Sequence, residues 1–178
     1  MSLAELLITI FILITLALVV ITVILSAYNV VAGQRTYLNL QQEGATGLRE
    51  ITQATNLALS ITDYPETSPT YTTGSNILVL KLNAIDNLNS PVADKYDYFV
   101  FYTEGQTLKL LVEADPASTG RLDETRVISN FVKKIIFRYN KIDPKQAETV
   151  SVTLILAETV KGAEKEIISQ TSAYLRNK

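Results

Sequence analysis

The chain opens on an almost unbroken apolar run, MSLAELLITIFILITLALVVITVILSAY, in which Glu5 is the one charged residue. As a helix, Leu6–Tyr28 would rise about 34 Å at about 1.5 Å per residue, enough to cross a hydrocarbon layer of about 30 Å. The polar residues within it, Thr9, Thr15, Thr22 and Ser26, can hydrogen-bond to the preceding turn and weaken a spanning helix little. Beyond Tyr28 the pattern becomes amphipathic, with Val31, Leu38, Ala45, Leu48, Ile51, Thr55, Ala58 and Ile61 at spacings of three, four or seven. This predicts one helix running on to about Ser60, with that stripe receiving a sheet. Gly33, Gly44 and Gly47 each weaken it by about 1 kcal/mol relative to Ala, and either bend it or admit a neighbouring backbone.

The helical period ends at TDYPETSPTYTTGS, Thr62–Ser75, where two prolines, a glycine and seven Ser or Thr residues predict a surface connection. Alternation of apolar and polar residues then takes over. It predicts strands over Ile77–Leu82, Tyr96–Thr103, Gln106–Glu113, Val132–Tyr139, Val150–Ala157 and Lys165–Leu175. Glu104-Gly105 reads as a tight hairpin, Arg126–Phe131 as a short helical turn, and Asp86–Asp94 and Ala114–Thr125 as loops. Tyr96, Tyr98, Val100 and Tyr102 share one strand face and Phe99 and Phe101 the other, so both faces are expected to be covered. Ile167 and Ile168 interrupt the alternation, which predicts a bulge or a strand covered on both sides. The expected class is α+β, a long N-terminal helix packed on an antiparallel sheet of roughly four to six strands. Three segments follow: 1–28, an apolar membrane or filament-core helix; 29–61, its amphipathic continuation; and 62–178, a β-sheet head.

Composition narrows the chemistry. The 178 residues carry a formal charge of −2 and contain no cysteine and no histidine. That removes thiol and His-dependent catalysis, most zinc sites and c-type haem attachment, and no cofactor is expected. A nucleic-acid partner would need a clustered basic face, and none is expected either. Asp115, Asp123 and Glu124 fall in one loop, but their spacing matches no calcium-loop motif, so solvated acids are the expectation. An enzymatic reading would have to use an acid pair such as Asp115 and Asp123, which lacks motif-level spacing, and the chain is not expected to be an enzyme.

Glu5 needs an explanation. A carboxylate at the centre of a membrane helix costs about 2.5–3.5 kcal/mol, less near an end, and nothing local offsets it. The unpaired N–H groups of the first helical turn supply part of a positive charge. The nearest full one is an α-amino group, this chain's own or a neighbour's; solvation at the headgroup level is the other resolution. A secretory signal peptide fits poorly, because the apolar run exceeds about 7–15 residues and no Lys or Arg precedes it. A plain N-terminal anchor fits the length but does not require Glu5.

Met1, Ser2, Leu3, Ala4, Glu5, Leu6 and Leu7, followed by about twenty apolar residues, resemble the mature N-terminus of type IV pilins and pseudopilins. The resemblance implies that a prepilin peptidase removed a short basic leader ending in Gly. It also implies that Met1 carries an N-methylated amine, that Glu5 pairs with that amine of a neighbour, and that an inner-membrane assembly platform builds the filament. Arg35 and Arg49, which follow the apolar run, would by the positive-inside rule place the head in the cytoplasm, and a removed basic leader restores the opposite orientation. VISNFVKKIIFRYN, the strand TVSVTLIL and the ending Ala173-Tyr174-Leu175-Arg176-Asn177 resemble J-type and W-type minor pilins and pseudopilins. The chain departs from many major pilins in having neither Pro nor Gly between Leu6 and Ala32, the nearest substitute being the β-branched run Val19–Ile24. The expected function is a structural subunit of a type IV pilus or pseudopilus, in the cytoplasmic membrane before assembly and in a surface filament afterwards. Copies would polymerise through the N-terminal helix, with Met1 and Glu5 as the assembly pair. The alternative is a membrane-anchored adhesin or ligand-binding module that does not polymerise.

Overall fold

The computed structural model describes residues 2–65, 70–160 and 162–176. Two compact units divide at Leu38/Asn39. Helix α1, Leu3–Leu57, supplies the first unit and the opening of the second. It ends three residues before the expected Ser60, because Ser60-Ile61 is taken up as strand β1, paired with Lys81 and Leu80.

The second unit contains the strands, in two antiparallel sheets. The first has the order β1-β2-β3-β4-β5, with β2 Leu78–Ile85, β3 Pro91–Glu104, β4 Thr107–Glu113 and β5 Glu124–Ser129. The second is β6-β7-β8, Val132–Tyr139, Thr149–Val160 and Ala163–Tyr174. The α+β class therefore holds, with eight strands in two sheets where one sheet of roughly four to six was expected.

Several differences have local causes. Arg126–Phe131 is not a helical turn, since Glu124–Ser129 forms a ladder with β4 through Lys109↔Val127 and Leu110↔Arg126. Its β-branched Thr125, Val127 and Ile128 suit a pleated surface, and cross-strand pairing decides a segment too short to nucleate a helix. Strand β3 starts at Pro91, inside the expected loop, with its proline at the first strand position, where no ladder donor is required. Glu104 pairs with Thr107, so the hairpin turn is Gly105-Gln106, and Gly105 takes the positive φ of 59° that the turn demands. Strand β8 has no bulge: its register against β7 is unbroken from Thr149↔Tyr174 to Val160↔Ala163. Ile167 therefore points inward and Ile168 outward, the latter 58% exposed.

The helix buries the expected face from Leu48 onward, at Leu48, Ile51 and Thr55, with Ala58 and Ile61 buried just beyond its end, but not before Leu48. Leu40, Leu48, Ile51, Ala54 and Thr55 are buried, whereas Val31 and Leu38 are exposed, as is Ala45. Gly44 and Gly47 lie on the buried stripe, which a hydrophobicity pattern does not credit to glycine. A Cβ on Gly44 would sit 2.8 Å from Ser169 Oγ and 3.0 Å from Leu156 Cδ1, and one on Gly47 would sit 3.2 Å from Leu154 Cδ2. These glycines therefore let β7 and β8 side chains press close to the helix axis. The core joins this helical face to Leu78, Leu80, Phe101 and Leu110 of the first sheet and to Phe137, Val152, Leu154 and Leu156 of the second.

Part of the Thr62–Ser75 segment also packs, where a surface connection was expected. The Tyr64 and Tyr98 rings lie 4.8 Å apart and those of Tyr71 and Tyr102 lie 5.5 Å apart. These contacts cover the face that carries the buried Val79 and Val100. Asp63 accepts from Thr73 N at 2.9 Å and pairs with Lys145 at 2.7 Å, which fixes the two ends of the segment. Both faces of β3 are thus occupied, as its aromatic alternation implied.

Candidate functional site

The largest unexplained feature is the surface of α1 in the first unit. Leu7, Ile8, Phe11, Leu16, Val23 and Leu25 are each more than half exposed, and the same holds for most large apolar side chains between Leu3 and Val30. Its most apolar window has a mean hydropathy of 3.2, and none of that window is buried within the chain. Soluble monomers rarely expose a contiguous apolar patch larger than a few hundred Å², so this surface needs lipid or another apolar surface against it.

The hydroxyls do not break the apolar character. Thr15 Oγ1 donates to Phe11 O and Thr22 Oγ1 to Leu18 O, each at 2.8 Å, so both are satisfied within the helix. Phe11, Ile12, Thr15, Leu16 and Val19 border an open groove of about 300 Å³.

At the start of the helix, Leu6 N donates to Ser2 O at 3.2 Å, the bond that an N-cap carbonyl accepts. In sequence, the spacing Ser2-Leu3-Ala4-Glu5 is that of a capping box. Met1 and the side chain of Glu5 lie outside the described residues, so the Met1–Glu5 assembly pair does too.

In the head, the loop acids do not converge. Asp123 Oδ1 accepts from Ala114 N and Asp115 Oδ1 from Ala117 N, each at 2.8 Å, while Glu124 pairs with Arg126 at 3.2 Å. Among the described residues no three Asp or Glu side chains are grouped to hold a metal ion. The acid that organises this loop is Asp97. It is fully buried and receives Arg121 Nη1 at 2.8 Å, Ser118 Oγ at 3.0 Å and Asp115 N at 2.9 Å. Its place among Phe99 and Phe101 on the core face of β3 was the sequence signal, an acid at an inward position that demands a partner. Burial also raises the Tyr139 phenol above its ordinary value, and its hydroxyl donates to Gly74 O at 2.8 Å.

Fold and surface together define the class: an α+β protein with a single described helix long and apolar enough to cross a membrane. No protein-family model and no curated protein sequence matches the chain.

Proposed function

We propose that the chain is a structural subunit of a type IV pilus or pseudopilus, inserted in a membrane before assembly and packed helix against helix afterwards. The observation that carries this is the exposed apolar surface of α1, on a helix whose later turns belong to the head's core. A bilayer and a bundle of identical helices both satisfy such a surface. Copies related by a rotation and a rise make a heterologous contact that does not close, which gives an open helical filament. In that arrangement apolar contact supplies cohesion, and Glu5, paired with the Met1 amine of the next copy, sets the axial register. The N-terminal resemblance to pilins supports the same pairing.

Replacing Glu5 tests the proposal. Glu5→Ala removes one partner of a desolvated pair, which costs about 3–5 kcal/mol per site. Membrane insertion should persist while incorporation into filaments falls. Normal incorporation would remove the register argument, and cross-linking that finds only monomers would favour a non-polymerising tether.

A further inference from the structure

The apolar surface of α1 has a boundary. Tyr28 is 67% exposed, and Arg35 is exposed as well. Arg35 is the only Lys or Arg in residues 1–48. Seven residues separate it from Tyr28, so the two share one helix face about 10 Å apart along the axis. With Leu7–Ala27 across a hydrocarbon layer of about 30 Å, Tyr28 falls where that layer meets the headgroups. A phenol suits this level, because its ring is apolar and its hydroxyl is wet. The Arg35 backbone lies farther out than the headgroup layer, which is about 5–8 Å thick on each side. However, helical side chains tilt toward the N-terminus, and in this helix the N-terminus lies on the bilayer side. With that tilt the stem of Arg35 can lie back toward Val31 and Ala32 and bring the guanidinium to phosphate level. Its planar fork matches phosphate oxygens.

We propose that Tyr28 and Arg35 form an interfacial anchor that selects anionic phospholipid headgroups while the chain resides in the membrane. This rests on the membrane-spanning reading of α1. Tyr28 sets the depth, and Arg35 supplies the charge selection.

The chain contains no tryptophan, so a single introduced one reports its own surroundings. The full chain carrying Leu16→Trp or Tyr28→Trp is reconstituted in phosphatidylcholine vesicles that contain a minor share of brominated phosphatidylglycerol or brominated phosphatidylcholine. Leu16→Trp should be quenched equally by both. At Tyr28→Trp, brominated phosphatidylglycerol should associate about fivefold more strongly, the factor one basic residue gains near an anionic surface. That preference should disappear on adding Arg35→Gln and persist with Arg35→Lys. Equal quenching by the two lipids at position 28, or a preference that survives Arg35→Gln, overturns the anchor but leaves the spanning helix intact. No quenching at position 16 overturns the spanning helix and the anchor with it.

Discussion

Gly44 of the helix lies against Ser169 of β8 so closely that a Cβ on the glycine would be 2.8 Å from the serine oxygen. Gly44→Ala therefore gains about 1 kcal/mol of helix propensity but loses about 1–3 kcal/mol to overpacking. A net loss of stability is expected from urea unfolding of the detergent-solubilised chain, followed by tyrosine near-ultraviolet circular dichroism. Gly33 has no atom within 4 Å of its added Cβ, so Gly33→Ala should be neutral or stabilising in the same assay.

Arg121 lies beside the fully buried Asp97 at 2.8 Å. Arg121→Ala leaves that carboxylate buried without its cation and should cost about 3–5 kcal/mol. The midpoint of urea unfolding measures this loss. Gly120 adds to the rigidity of the same loop, since its added Cβ would fall 2.3 Å from Asp86 O. Gly120→Ala should accordingly be destabilising too.

Asp63 gives the fold an acid-sensitive tie. Burial works to raise its carboxyl, but the hydrogen bond from Lys145 and that from Thr73 N outweigh it and hold the group below its ordinary value. A depressed carboxyl stabilises the fold above its unfolded value, about 3.9, and that contribution is lost as pH falls through the lower folded value. Asp63→Asn should cost about 1 kcal/mol at neutral pH, a modest figure because Lys145 is half exposed. The gap between wild type and variant should close below about pH 4. A gap that widened on acidification would contradict this pairing.

The sequence disclosed the helix and the strands whose pattern is strong and local. Val150, Val152, Leu154 and Leu156 alternate with Ser151, Thr153 and Ile155 in β7, and all four are fully buried. Ile135, Phe137 and Tyr139 likewise face inward as their spacing implied. What was hidden depended on distant partners. Strand β5 exists because β4 pairs with it, and nothing within Glu124–Ser129 specifies that partner. The buried helical face was legible at Leu48, Ile51 and Thr55 but not before them, where two of its contact positions, Gly44 and Gly47, are glycines whose contribution is the space they leave. Asp97 was passed over because its cation, Arg121, arrives from a loop 24 residues on. In the candidate site, the apolar surface was legible from composition alone, whereas Ser2 as the helix N-cap emerged only with the start of α1.

The apolar surface of α1 makes the central claim directly measurable. Filaments sheared from cells that produce the chain, imaged by electron cryomicroscopy, should contain this chain, with Leu3–Val31 buried against the same helix of neighbouring copies. Glu5 should lie within hydrogen-bonding reach of the next copy's N-terminal amine. Filaments that lack the chain, with the protein remaining monomeric in the membrane, would contradict the account.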